Sequence, residues 1–499
     1  MWAMIEKLRI IRGSCTRRML HGSAPSATAP PDGALAIAAR VLTRPLALPP
    51  GAALTTSCRA SEFEEGYRRS RIESRMSPPS LRVYSVLPTA RTLISYRPDS
   101  ATFAVIGASS YLILFALPLA ADVPLLGLAV CTALAVLVAD RGETPPRARR
   151  LAGAVALFFV SIGLSLLVAD DVQRGVVLSR PLVPGALLFV VIAGHFRDLD
   201  DTRRLYAAFA VTALAVGAAV LAEAWRHPAL DPSALVASLG SPALVVPNDV
   251  ALLAVAAPLA WALLQSTRRY GTALLAGTSL LVSAGAIAVL QSRVAALAMI
   301  SGIACSVAAR SWRRAAVAVV SVAAVVLTVD AVRGLPLLHK FAPGANPRIA
   351  LWIAALAMFR DAPWLGQGPH AFGALQDAYA GALVLPPWIP LDERAVPWAH
   401  NLYLETLAEQ GIVGFLALGV MLATAVRLAY AVVAKARDRD ARVLAAGALG
   451  SLVAVATAGL VELSFIREWV VVVTFTLLGI ISHHTALPLP APQPLEVPS

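Results

Sequence analysis

The chain has 499 residues, of which 58% are hydrophobic and only 14% are charged, and its mean hydropathy is +0.71. Soluble proteins are typically about 45–50% apolar and about 25% charged, so this composition argues against a soluble enzyme and against a disordered or fibrous protein. The formal net charge is +12. The four cysteines show neither the spacing of a disulfide framework nor that of a zinc site.

Residues 1–100 form a basic stretch that is rich in arginine, serine and proline and lacks a long apolar run. We expect a disordered cytoplasmic tail here, or an over-extended start with Met76 as the alternative first residue. The stretch has no apolar segment with the length and flanks of a signal peptide. It also lacks the motifs of nucleic-acid-binding folds, so nucleic acid is not an expected partner.

From residue 101 onward, apolar runs of about 17–23 residues alternate with short polar breaks, and this is the length of a helix that crosses a bilayer. The runs are continuously apolar, whereas the strands of a membrane barrel alternate. The sequence therefore predicts an all-α polytopic membrane protein with about twelve transmembrane helices. Their predicted bounds are 101–120, 123–139, 151–169, 176–194, 205–224, 249–266, 272–290, 294–309, 315–333, 404–426, 443–462 and 468–483.

The charges of the polar breaks give the predicted orientation. The breaks after spans two, four, six, eight and ten are basic, as in HFRDLDDTRR and TRRYG, and the other short breaks carry few positive charges. Because basic short loops stay in the cytoplasm, both termini are expected there, including a proline-rich tail at 485–499. Residues 101–333 then hold spans one to nine and 404–484 hold spans ten to twelve. The segment 334–403 forms one large outer loop.

Charged residues inside the predicted spans fall at their outer ends. A long charged side chain near the end of a span can reach water, so interfacial anchoring explains any one of them. Together they indicate a polar cavity that opens to the outer face. These residues are Glu223, Asp249, Arg293, Asp330, Arg333, Glu462 and Arg467.

The outer loop contains a predicted amphipathic helix over residues 346–363, because apolar residues recur there at helical spacing. We expect this helix to lie on the outer membrane surface. The segment WLGQGPHAF follows it as a glycine-proline turn, in which Gly366 and Gly368 shape the backbone. His400 and Asn401 then lead directly into span ten.

The succession RIALWIAALAMFRDAPWLGQGPHAF and then AHNLYLETLAEQGIVGF resembles the signature of the O-antigen ligase and O-antigen polymerase superfamily. The resemblance is most specific from Arg348 to Phe415, and residues 1–100 have no counterpart in the pattern. Members are bacterial inner-membrane glycosyltransferases that use undecaprenyl-diphosphate-linked glycans. The resemblance therefore implies a periplasmic site, no cofactor, and glycan transfer to an acceptor hydroxyl, with a sugar of the lipid A core favoured. A second lipid-linked glycan and a protein hydroxyl are the alternative acceptors.

His400 is the candidate general base, since histidine ordinarily titrates near pH 6.5 and the resemblance implies that the histidine of this HN element is functional. Asn401, Glu405 and Glu409 are supporting candidates on the same helical segment. Either glutamate would orient His400, compete with it for the base role, or pair with an arginine.

Arginine side chains are the candidate partners of the donor diphosphate, because a guanidinium group binds phosphate oxygens in a bidentate manner. Arg348, Arg293 and Arg467 are assigned to this role, with Arg348 also in the catalytic set and Arg360 supporting. An acidic pair of the kind that holds a metal is missing from the predicted outer face, and the DLDD run at 198–201 lies in a predicted cytoplasmic loop. We therefore expect metal-independent transfer.

Simpler interpretations remain open from the sequence. His400 would then be an interfacial histidine that binds only backbone, Arg348 a membrane-surface anchor, and Asn248 a helix cap. A glycan or lipid transporter is the alternative of a different class, because twelve helices would suit it equally well. A transporter, however, would place its polar residues near the midplane and show internal repeats, and neither is evident.

Overall fold

The computed structural model describes residues 100–116, 132–134, 149–241, 244–309, 348–382 and 398–486, together with positions 313, 317 and 320. These residues form helices and turns without a β-strand, which confirms the all-α prediction for this part of the chain. The helices are α1 (Ser100–Ala116), α2 (Arg149–Leu166), α3 (Val172–Leu178), α4 (Leu182–His195), α5 (Leu199–Arg226), α6 (Pro232–Leu239), α7 (Ala251–Ser266), α8 (Tyr270–Val289), α9 (Arg293–Ala308), α10 (Arg348–Asp361), α11 (Phe372–Ala382), α12 (Leu402–Lys435), α13 (Arg439–Gly459) and α14 (Glu468–Ala486). A short 3-10 helix, Pro247–Val250, leads into α7.

Seven of the described helices are long and apolar enough to cross a membrane, and a bent pair of helices would make eight. The seven are α2, α5, α7 with its 3-10 lead-in, α8, α12, α13 and α14, and each coincides with a predicted span. Helices α1 and α9 are apolar but shorter, with 17 and 16 residues. The predicted spans 123–139 and 315–333 fall almost entirely outside the described residues, as do both predicted tails.

The predicted span 176–194 is broken in the structure. Helices α3 and α4 meet there at an angle of 44°. Pro181 occupies the junction just before α4. Proline lacks the backbone N–H that would continue the ladder of helical hydrogen bonds, and its ring crowds the preceding turn. The apolar composition of the segment indicated a span, and the proline accounts for the bend.

Helices α7 and α14 form the interior of the bundle, because most of their residues are buried within the protein. Helix α7 contacts α5, α8, α9 and α13, while α14 packs mainly against α4. Small residues bring the backbones of α9 and α13 together: a Cβ atom added at Gly450 would overlap the carbonyl oxygen of Gly302. Such close contact between small residues is typical of helix pairs within membranes.

Helix α12 contains a kink at Gly411, whose backbone angles are φ 63° and ψ −164°. The turn after α10 docks at this kink. The Ile412 amide donates to the carbonyl of Pro363 at 2.9 Å, and the Gly368 amide donates to that of Glu409 at 2.9 Å. Gly366 also has a positive φ of 71°, and a side chain there would overlap the backbone of Glu409. Both glycines therefore allow the turn to lie directly on α12, which confirms the predicted role of Gly366.

Helix α10 confirms the predicted helix over 346–363, but its apolar side is covered by protein. Leu351, Ala355 and Met358 are buried against Phe372 at the start of α11 and against Ala399 and Ala408 beside and within α12. These apolar residues are therefore covered by protein, and the location of the helix on the membrane surface stays a prediction. An amphipathic pattern indicates that one face of a helix is buried, but it does not show whether protein or lipid covers that face.

The kink gives a direct test of this docking. We expect Gly411→Ala to destabilise the protein by about 1–3 kcal/mol, because non-glycine residues are strained at these backbone angles. The added Cβ atom would also overlap the backbone of Trp364 and Leu365. Thermal unfolding of the detergent-solubilised chain, followed by tryptophan fluorescence, measures the change. Gly419→Ala is the matched control on the same helix, since no atom lies within 4 Å of its Cβ position. Equal stability of the two variants would contradict the docking role.

Candidate active site

A polar cluster forms where the start of α7, the start of α9, the start of α10 and the segment before α12 meet the turn between α13 and α14. Of the charged residues predicted at outer ends of spans, Asp249, Arg293, Glu462 and Arg467 contribute to it. Glu223 instead pairs near its own helix end with Arg226 at 3.4 Å. Asp330 and Arg333 lie outside the described residues. Four of these charged residues thus lie in one cluster although they are far apart in the sequence, while the predicted opening to the outer face stays a prediction.

The carboxylate of Glu462 is the centre of this cluster. It is buried, with 5% of the residue exposed. Its Oε2 atom accepts hydrogen bonds from Arg348 Nη2 at 2.5 Å and from Asn248 Nδ2 at 2.8 Å. Its Oε1 atom lies 3.0 Å from His400 Nδ1. A carboxylate with two oxygens can accept all three contacts, and Glu462 therefore joins the candidate base to the candidate phosphate-binding arginine.

The contacts of His400 determine which ring nitrogen can act as a base. Nδ1 lies 3.0 Å from Glu462 Oε1 and 3.1 Å from the Nε1 atom of Trp398. Nδ1 cannot donate to the carboxylate and accept from the indole at the same time. A charge-assisted bond to carboxylate is the stronger of the two, so the proton belongs on Nδ1. This leaves the lone pair on Nε2, and the side chain is 14% exposed, so a substrate can reach it.

The position of His400 is fixed from several sides. Its backbone is left-handed, with φ 52°. The neighbouring Ala399 amide donates to Glu405 at 3.0 Å, and Ser464 Oγ donates to the other oxygen of the same carboxylate. On the other side, Asn401 caps α12 by accepting from the amides of Tyr403 and Leu404, both at 3.0 Å, and it donates to a carbonyl of the α13–α14 turn at 2.8 Å. Asn401 thus supports the site as a cap and a tether.

Neither Glu405 nor Glu409 contacts His400 in the described structure. Both are buried, with 4% exposed. Glu409 accepts from the His370 amide at 2.8 Å and from the Phe372 amide at 3.1 Å, so it stabilises the turn after α10. Neither glutamate makes a hydrogen bond to the His400 ring among the described residues, and Glu405 instead binds the neighbouring Ala399 amide. Glu462 makes the contact to the ring, from 62 residues further along the chain.

A second buried ion pair supports the cluster. Arg467 donates to Asp249 Oδ2, while Asp249 Oδ1 accepts from Trp469 Nε1 at 3.0 Å. The Arg467 guanidinium also lies 5.3 Å from the centroid of the Trp398 ring, within the range of a cation–π contact. Trp398 in turn contacts His400. The observed partners of Arg467 therefore favour a positioning role over direct contact with a diphosphate.

The other candidate arginines occupy different environments. Arg348 also donates to the carbonyl of Val461 at 2.5 Å. Arg293 follows Ser292, whose side chain is linked through Asn248 to Glu462, the partner of Arg348. Arg360 is exposed, and its twelve-residue separation from Arg348 corresponds to about 18 Å along α10. The structure therefore brings Arg293 and Arg348 together and leaves Arg360 outside the cluster.

Asn248 differs from its sequence interpretation as a helix cap. Its side chain lies between Glu462 and Ser292, donating to the first at 2.8 Å and accepting from Ser292 Oγ at 2.8 Å. Ser292 itself caps α9, next to Arg293. The amide thus links the start of α9 to the central carboxylate. In the sequence, Asn248 was notable only because it stands at the start of a predicted span.

A second histidine, His370, lies in the turn after α10 and has a different character. Burial is the main cause that lowers its pKa to about 4, and the positive charge of Arg174 adds to the effect. The ring is therefore neutral near neutral pH. Its backbone amide binds Glu409. His370 is a structural residue of the turn, and His400 is the partly exposed histidine with a carboxylate partner.

A protein-family model described as O-antigen ligase matches residues 278–419, from within α8 to within α12. No curated protein matches the chain. The family match confirms, over these residues, the resemblance to the O-antigen ligase superfamily found in the sequence. Arg293, Arg348 and His400 fall inside the matched region, whereas Glu462 falls beyond it. The sequence comparison alone would not have identified the carboxylate that connects them.

Proposed function

We propose that the chain transfers a glycan from undecaprenyl diphosphate to an acceptor hydroxyl at the periplasmic face of a bacterial inner membrane. A sugar of the lipid A core is the favoured acceptor. One observation carries the proposal: a single buried carboxylate, Glu462, contacts both His400 and Arg348. A base and a cation are thereby held next to each other, as the transfer requires.

The proposed chemistry uses these groups in one displacement. The Nε2 atom of His400 takes the proton of the acceptor hydroxyl, and the acceptor oxygen attacks the anomeric carbon of the donor glycan. The bond between that carbon and the diphosphate oxygen breaks. Glu462 stabilises the imidazolium that forms, because its carboxylate contacts the opposite ring nitrogen.

The leaving diphosphate carries negative charge that must be neutralised. We propose that Arg348 and Arg293 supply the compensating positive charge, so that the transfer needs no metal ion. Two guanidinium groups offer several N–H donors in a fixed geometry, which suits phosphate oxygens. A bound diphosphate would place negative charge close to both guanidinium groups.

Deletion of the gene in its own host tests the acceptor. If the chain is a ligase, long glycans should disappear from the lipid A core and accumulate on the polyprenyl carrier, as seen on a silver-stained gel and in extracted carrier lipid. Single repeat units that still cap the core would indicate a polymerase instead. Unchanged lipopolysaccharide would contradict the lipid A core as acceptor and favour an exopolysaccharide, a glycoprotein or transport.

His400 is tested by complementation of that deletion. We expect His400→Asn to lower glycan transfer by about 10²–10⁴-fold, the range typical of a lost general base. Asparagine tolerates the left-handed backbone at this position, so the fold is disturbed less than by alanine. His227→Asn is the matched control, since His227 is an exposed histidine at the end of α5. Normal transfer by a membrane-inserted His400→Asn variant would exclude the base assignment.

Arg348 is tested by a substitution that keeps its charge. We expect Arg348→Lys to impair transfer severely, because lysine cannot contact both Glu462 and the Val461 carbonyl in the same forked geometry. Arg360→Lys, on the exposed end of the same helix, should transfer normally. Transfer rates in isolated membranes measure both variants. Full activity of Arg348→Lys would contradict the proposed role, and so would a loss of wild-type activity in EDTA that Mg²⁺ restores.

A further inference from the structure

A cavity of about 400 Å³ lies at the helix ends that carry the predicted cytoplasmic loops. Its charged lining comes from three separate basic stretches: the start of α5, the α7–α8 connection and the start of α13. The lining side chains include four arginines and two aspartates, so positive charge is in excess. These residues are Arg203, Arg204, Arg268, Arg269, Asp200 and Asp440.

The arginines of this cavity differ in whether their guanidinium groups are paired with carboxylates. Arg203 bridges Asp200 and Asp440, both at 2.5 Å, and so fixes the wall between α5 and α13. The Nε atom of Arg203 is buried and has no hydrogen-bond partner among the described residues. Arg268 and Arg269 are exposed, and within the part of the chain that the structure describes their guanidinium groups make no ion pair. The cavity therefore offers unneutralised cations beside a rigid wall.

The surface next to these cations is apolar. Helix α8 begins directly after Arg269, and it exposes Tyr270, Leu274 and Leu281 with relative accessibilities of 82%, 57% and 77%. A tyrosine at the start of a membrane-spanning helix is typical of the membrane–water boundary, and exposed leucines further along the helix suit contact with lipid. A ligand at the arginines would thus have its apolar part beside α8.

We propose that this cavity binds the phosphate group of an anionic phospholipid from the cytoplasmic leaflet, with the acyl chains along the exposed side of α8. Arginines bind phosphate oxygens in a bidentate manner, and basic pockets between membrane helices recognise anionic headgroups. Free inorganic phosphate shares the chemistry of the headgroup, but it would make no use of the exposed apolar side of α8. The site is separate from the polar cluster around Glu462, and the proposal does not depend on the glycan transfer.

Native mass spectrometry of the full chain in detergent tests the proposal, with phosphatidylglycerol as the probe and phosphatidylcholine as the zwitterionic reference. We expect the wild-type chain to retain phosphatidylglycerol preferentially. The double variant Arg268→Gln, Arg269→Gln should weaken this retention about tenfold to thirtyfold, since each arginine near a membrane surface contributes appreciably to anionic-lipid binding. If the double variant does not fold, the two single variants are measured instead.

The matched control is Arg437→Gln, Arg439→Gln, which removes the same charge from exposed positions, one just before α13 and one at its first residue, that do not line the cavity. It should retain phosphatidylglycerol as the wild type does. An equal loss in both double variants, or no loss in either, would overturn the proposal. A further arm adds inorganic phosphate alone: binding of phosphate without a preference for phosphatidylglycerol would assign the cavity to a free anion and overturn the lipid assignment.

Discussion

The contacts of one buried carboxylate, Glu462, determine how one end of the helix bundle is arranged. A buried ionised group is costly unless it is paired and hydrogen-bonded, and the surrounding protein must therefore supply donors. Arg348, Asn248 and His400 supply them from three distant parts of the chain. The energetic requirement of a single side chain thus brings together the elements that a glycan transfer would need. Nearby, the buried carboxylate of Asp249 likewise has a charged hydrogen-bond partner, Arg467.

This arrangement of side chains is supported by close contact between two backbone segments. Helix α10 and the following turn lie on α12 because Gly366 and Gly411 leave room for one backbone against another. Buried Glu409 then binds two amides of the turn, and Glu405 binds the segment just before His400. Apart from the Ser464 hydroxyl, these glutamates bind backbone amides, and the direct contacts to His400 and Arg348 come from Glu462. Residues that fix the backbone in this way are expected around a site whose side chains must keep a defined geometry when a substrate binds.

The sequence was informative wherever the signal is local. Hydropathy located the described spans, the helical spacing located α10, and the HN element located His400, because each of these patterns lies within a few turns of chain. The partner of His400 could not be found in this way. Glu462 was recognisable only as a charge at the end of a span, since the sequence does not show which distant helix ends meet. For the same reason Asn248 looked like a cap, and Glu405 looked like a partner of the histidine on its own helix.

The separation of these partners along the chain has a consequence for biosynthesis. Arg348 is made 114 residues before Glu462. At about 5–20 residues per second, roughly 6–20 s pass between the synthesis of the two. During that interval the guanidinium group of Arg348 lacks this carboxylate partner, and His400 lacks the same partner once it has been synthesised. A chain that stops before residue 462, or that fails to deliver the α13–α14 turn to the correct side, cannot assemble the cluster. The cluster can therefore form only after α13 and the turn that follows it have been synthesised.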